Sequence, residues 1–147
     1  MRQAEQIRYL ILAAQREGNR QLAAPLRTIG LTPEQSEVLR ILGDHDNLTI
    51  KGVGEMLICD SGTNPSRLVD RLVHAGLVER NTDPTDRRQM RLTLTADGLA
   101  KEKQTRAIED ALYESLDQIP EGAALVTTLK LIVQGRVAGE ALNRRIS

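Results

Sequence analysis

Asn64-Pro65-Ser66-Arg67-Leu68-Val69-Asp70-Arg71-Leu72-Val73-His74-Ala75-Gly76 has two unlike sides once it is wound into a helix. Asn64 suits an N-cap, because the residue before a proline is pushed out of the helical region. Pro65 is preset for the first helical position, and Gly76 supplies the left-handed stop. At about 100° per residue, Pro65, Leu68, Val69, Leu72, Val73 and Ala75 share one arc, and Ser66, Arg67, Asp70, Arg71 and His74 share the other. A helix so divided buries one side and keeps a cationic, hydrogen-bonding side for something else.

Upstream, Thr32-Pro33-Glu34-Gln35 is a capping box that opens a helix carrying Val38, Leu39, Ile41 and Leu42 and stopping at Gly43. Asp44-His45-Asp46-Asn47 makes a polar turn, and Thr49 caps a short helix with Val53, Met56 and Leu57. Before all of these, Ile7, Leu10, Ile11, Ala14, Gly18 and Leu22 recur at helical spacing from Ala4 to about Leu26. Downstream, Leu77 to Arg80 and Met90 to Thr95 read as two strands joined by the charged, turn-rich loop from Asn81 to Arg88. Thr95 caps a further helix with Leu99, Ile108, Ala111, Leu112 and Leu116, interrupted at Pro120-Glu121-Gly122. A last helix, from about Ala123 to Leu142, is apolar on more than one face, which implies a partner surface. The expected fold is mainly α with a small β-hairpin wing: a winged helix-turn-helix core at about 31–98, flanked by dimerisation helices at about 4–28 and 99–143, in a single domain over 1–147.

The chain has 147 residues, with 20 Lys and Arg against 20 Asp and Glu, a neutrality that seems to argue against a nucleic-acid partner. The distribution says otherwise, because Arg87, Arg88 and Arg91 crowd the hairpin inside an otherwise balanced chain. One cysteine excludes an intrachain disulfide framework, and with two histidines it leaves too few soft ligands for structural zinc, so neither metal nor cofactor is expected. No apolar run approaches the roughly 18 residues of a membrane span, and the N-terminus has no secretory pattern, so a cytoplasmic protein is expected. Tyr9 and Tyr113 are the only aromatic residues, too few for a single-strand stacking platform. No phosphate-cradling glycine loop, paired catalytic carboxylates or nucleophile with a base is present, so no catalytic residue is assigned.

A helix buried on one side and bearing Arg and Ser on the other has the diameter and chemistry for a DNA major groove. A basic hairpin tip beside it can reach the neighbouring minor groove. Three pieces then carry a family likeness: Leu31-Thr32-Pro33-Glu34-Gln35; Ser66-Arg67-Leu68-Val69-Asp70-Arg71-Leu72 running on to Gly76-Leu77-Val78-Glu79-Arg80; and Asp83-Pro84-Thr85-Asp86-Arg87-Arg88 followed by Leu92-Thr93-Leu94-Thr95. Together they resemble the MarR family of bacterial winged-helix regulators, densely over 31–98.

The resemblance implies a homodimer with interlocked terminal helices, a pseudopalindromic site on double-stranded DNA, and a repressor that responds to a small-molecule effector. It maps the recognition helix to the segment from Ser61 to Arg71, with Thr63, Asn64, Ser66 and Arg67 facing bases or phosphates and Arg71 one turn further on. It maps the wing arginines to Arg87 and Arg88, with Asp86 as the acid that steadies one of them. Gly62 and Pro65 stand where many relatives carry helix formers, which starts the helix later and sets Ser61 and Gly62 aside as contacts. For an effector, Tyr9 and Tyr113 are the side chains that could stack on a ring.

Blander readings stand beside these. Alone, Arg67 and Arg71 would be a solvated helix face and the wing a polar loop; the order of elements favours DNA. Asp70 repels phosphate, so its expected work is to orient Arg67 or Arg71 through an ion pair. Cys59 reads as a buried small hydrophobe rather than a redox centre. Asp44-His45-Asp46 lies on one turn, where adjacent residues rarely converge on one ion and no second cluster completes a shell, and His74 fits the C-terminal dipole of its helix. The competing function is a winged helix used as a protein-protein interaction module, in which the wing arginines are dispensable.

Overall fold

Four short-range caps set the phase of the helices. The Gln35 amide donates to Thr32 Oγ1 at 3.2 Å while the Thr32 amide donates to Gln35 Oε1 at 3.0 Å, which closes the capping box that opens α2 (Pro33–Asp44). Thr49 Oγ1 accepts the Gly52 amide at 3.0 Å at the start of α3 (Ile50–Gly54). Asn64 Oδ1 accepts the Arg67 amide at 2.8 Å and starts α4 (Pro65–His74). Thr95 Oγ1 accepts the Gly98 amide at 3.0 Å at the head of α5 (Ala96–Asp117) and donates back to the Gly76 carbonyl at 2.7 Å. These elements follow α1 (Gln3–Thr28) and enclose the hairpin β1 (Val78–Thr82) and β2 (Met90–Leu94). The computed structural model describes residues 1–59 and 64–147.

The hairpin pairs antiparallel from Val78 opposite Leu94 to Thr82 opposite Met90. Each strand differs from the expected bounds by a residue or two, because pairing continues through Asn81 and Thr82 before the chain turns. Beyond the sequence reading, Leu48 bridges Leu92, whose amide donates to the Leu48 carbonyl at 2.8 Å and ties the turn before α3 to the wing.

The core gathers Leu39 and Ile41 of α2, Val53 of α3, Leu68, Val69 and Leu72 of α4, Val78 and Leu92 of the hairpin and Leu26 of α1. Gly76 takes φ +75°, which swings the chain from α4 into β1. Ala75, assigned to the buried arc of its helix, is exposed because it already belongs to the cap.

Two expectations need correction. The last helix is two helices, α6 (Gly122–Val133) and α7 (Val137–Ile146), separated at Gly135, whose φ is +68°. Gly139 then lets α7 fold back on α6, since a Cβ there would stand 2.1 Å from the Val133 carbonyl oxygen. The buried residues of α5 are also Gly98, Glu102 and Thr105 rather than Leu99 and Leu116, which are exposed, and Glu102 is turned on α2. Arg40 of α2 explains this. Its guanidinium donates to Glu109 at 2.9 Å, Glu102 at 2.9 Å and Asp44 at 3.3 Å, and Arg106 closes the cluster onto Asp44 at 2.7 Å. Burial opposes the charge on Arg40, but Glu109, Asp44 and Glu102 outweigh it and raise its pKa.

Gly98 marks the tightest approach in the winged core, because a Cβ there would lie 1.9 Å from the Leu77 backbone oxygen. Gly98→Ala is expected to lower stability by about 1–3 kcal/mol, read as a lower urea midpoint with an unchanged slope.

Candidate nucleic-acid interface

Burial of Leu68, Val69 and Leu72 fixes the rotation of α4, so Ser66, Arg67, Asp70, Arg71 and His74 face solvent. Arg67 and Arg71 stand one turn apart on that face, and among the described residues neither enters an ion pair. Asp70 is held by Arg80 of β1 rather than by Arg67 or Arg71, contrary to the expectation from sequence. The hairpin packed against α4 brings Arg80 across, and this leaves both helix arginines available. Asn64 is exposed, and its Oδ1 is engaged as the cap of α4 while its amide nitrogen can still donate outward. Thr63, with Ser61 and Gly62, lies outside the described residues.

The wing is organised by Asp83, which is buried at 5% exposure. Its Oδ1 accepts the Thr85 amide at 2.9 Å and the Thr85 hydroxyl at 2.8 Å, and its Oδ2 accepts Arg91 Nε at 2.8 Å. The hydrogen bonds from Thr85 and Arg91, the backbone one foremost, outweigh desolvation and hold its carboxyl well below the usual range. Arg91 also donates to the Asn47 carbonyl at 2.8 Å, so it braces the base of the wing instead of joining the basic tip. Asp86 does steady the tip, though through the backbone: its Oδ1 accepts the Arg88 amide at 3.0 Å. Arg87 and Arg88 are left exposed at the turn.

The polar face of α4 and the wing tip thus rise from one packed unit, each with two exposed arginines, while Asp70 is taken by Arg80 and Asp83 by Arg91. A family model described as MarR family matches residues 31–90. The organic hydroperoxide resistance transcriptional regulator of Bacillus subtilis (strain 168) is 36% identical over 104 residues, covering 70% of this chain and 70% of that protein. The chain belongs to the MarR family. Among solved structures, a mutant of MarR from E. coli in complex with operator DNA is 28% identical, with TM-score 0.74, covering 85% of this chain and 91% of that one. BpsR from Bordetella bronchiseptica, whose DNA binding is described as regulated by 6-hydroxynicotinic acid, shares the fold with TM-score 0.78 at 23% identity, over 92% and 98% of the two chains.

In this MarR-family chain the residues that sequence reading missed are the braces Asp83, Arg80 and Glu37. Asp83 could have been found, because Asp-Pro-Thr beside an arginine-rich turn is an Asx-turn signal. Arg80 and Glu37 depend on neighbours brought together only by folding. Tyr9 and Tyr113 are both exposed, the first under the Arg8 guanidinium at 5.1 Å from its ring centroid. Asp44, in the turn set aside as an ion site, is bound by Arg40 and Arg106.

Cys59 lies partly buried beside Glu37, and burial together with the hydrogen bond and charge of that carboxylate pushes its thiol up to about 12. Thiolate is the reactive form, so at neutral pH native Cys59 is expected to alkylate with iodoacetamide at least about a hundredfold more slowly than in the unfolded chain; equal rates would show the thiol to be unprotected. For the wing, the depressed carboxyl of Asp83 sets the sign of a pH effect. Its stabilising contribution is complete above its unfolded value, near about 4, and fades only as pH falls through the lower folded value. The Asp83 carboxyl ¹³C shift is therefore expected to stay at its ionised value at about pH 3, and its titration is expected to move upward in pH once Arg91→Met and Thr85→Ala remove the two side-chain donors, leaving the Thr85 amide.

Proposed function

We propose that this MarR-family chain is a sequence-specific repressor that binds a pseudopalindromic operator in double-stranded DNA as a homodimer. Ser66 and Arg67 read base edges, Asn64 and Arg71 contact bases or the backbone, and Arg87 and Arg88 reach the minor groove from the wing; Thr63 belongs with them by its place in the sequence. The observation that carries the reading is that Arg67, Arg71, Arg87 and Arg88 remain exposed while Asp70, Asp83 and Asp86 are drawn into internal contacts. Arginine aimed at guanine and at a narrow minor groove is the commonest chemistry of such readout. The E. coli relative in complex with operator DNA supports it.

The chain acts as one domain over 1–147, with the core at about 31–98 serving DNA and the flanking helices serving the second copy. Ile7, Ile11 and Leu12 of α1 and Val126, Leu129 and Ile132 of α6 are exposed and line two adjoining apolar grooves. A second copy covers them, since contiguous apolar surface of this kind marks an interaction face. A small-molecule effector regulates that binding, as 6-hydroxynicotinic acid is described to do for BpsR. Among the described residues no helix is long and apolar enough to cross a membrane. As a regulator of DNA the chain works in the cytoplasm, and no catalytic step is assigned to it.

Arg88→Ala and Arg87→Ala are expected to weaken operator binding and to lower the slope of log K against log salt by about one per copy replaced. Arg67→Ala should cost about 1–3 kcal/mol and relax the base preference at one position of each half-site. Both are read by fluorescence anisotropy on a duplex enriched from a random pool. Unchanged affinity in the wing variants would favour the protein-interaction module instead.

A further inference from the structure

Glu37 stands in α2 between Ser36 and Val38, on the buried side of the helix, and it is 8% exposed. Its two oxygens serve three donors. Oε1 accepts the Ile58 amide at 2.7 Å and Arg145 Nη1 at 2.7 Å, and Oε2 accepts the Cys59 amide at 2.9 Å. Ile58 and Cys59 belong to the stretch that leads from α3 towards the cap of α4, and Arg145 lies in the last turn of α7. A cavity of about 540 Å³ otherwise parts these elements, with Ile58 and Pro65 on one wall and Val137 and Ala141 on the other. Among the described residues, Arg145 makes the side-chain hydrogen bond that crosses from α7 to the winged helix.

A carboxylate buried with two amide donors still needs charge compensation, and Arg145 supplies it. We infer that Arg145 is a positioning residue for DNA recognition. Acting through Glu37, it holds the Ile58 and Cys59 amides and so couples the placement of the recognition helix, whose Pro65 lines the same cavity, to the C-terminal helix. This rests on the DNA-binding reading above. It differs from that reading in assigning a role to a cation that does not touch DNA. If α7 shifts, the Glu37 clamp shifts with it, and Ser66 and Arg67 at the head of α4 move relative to the duplex.

The test uses the full chain and a fluorescein-labelled duplex enriched from a random pool by the wild-type protein, with affinity measured over a series of KCl concentrations. Arg145→Ala is expected to weaken binding by about tenfold with the salt slope unchanged. Arg145→Lys should recover most of the loss, and Glu37→Gln should weaken binding to a similar degree. The double variant Glu37→Gln with Arg145→Ala should bind no worse than either single one, since both break the same link. If the alanine variant does not fold, Arg145→Gln goes through the same series with the same expectations. Wild-type affinity in the variants, additive losses in the double variant, or a salt slope lowered by about one per copy, the mark of a phosphate contact, would each overturn the inference. A pool that yields no site for the wild type would remove the DNA-binding reading and this inference together. A site bound equally by wild type and Arg145→Ala would remove this inference alone.

Discussion

A carboxylate taken out of water must be given donors, and three such groups organise this molecule. Glu37 holds the Ile58 and Cys59 amides after α3, Asp83 holds the wing, and Glu102 joins α5 to α2 through Arg40. Each is nearly inaccessible, and among the described residues no buried side-chain nitrogen or oxygen lacks a partner. Such groups contribute modest net stability, because desolvation offsets most of the attraction. Their effect is geometric. An aliphatic residue at any of these places could pack in several ways, whereas a carboxylate with two or three named donors accepts one arrangement.

The same pairing explains how a chain with no net charge presents a cationic surface. Arg40, Arg80, Arg91, Arg106 and Arg145 are each matched to an acid inside the fold. Those matches leave the protein neutral by count and basic where α4 and the wing tip emerge. Sequence arithmetic averages over both populations, so its zero carried no information about the surface.

What could be read in the chain itself was whatever depends on near neighbours. Thr32 with Gln35, Thr49, Asn64 before Pro65, Gly76 and Thr95 each act within four residues, and each stands where its chemistry required. The two faces of α4 were equally legible, because period and burial agree there. Partners distant in sequence were not. Asp70 has Arg67 and Arg71 at helical reach or beside it, yet pairs with Arg80 of β1; Glu37 waits for an arginine 108 residues away. The break at Gly135 was hidden for a different reason: apolar residues on both sides of it continue the helical period, and only the turn at Gly135 shows that the run folds back.

The wing is not a free flap. Leu92 is stitched to Leu48, and Arg91 to Asn47, so the hairpin and the turn before α3 move as one body with the core that carries α4. The protein is therefore a caliper with a fixed jaw. On a double helix gripped as proposed, the offset between the rod in the wide furrow and the tip in the narrow one would be set by the fold. Under that proposal, a half-site lengthened by a single base step would lose one of the two grips, so length would count as much as letters.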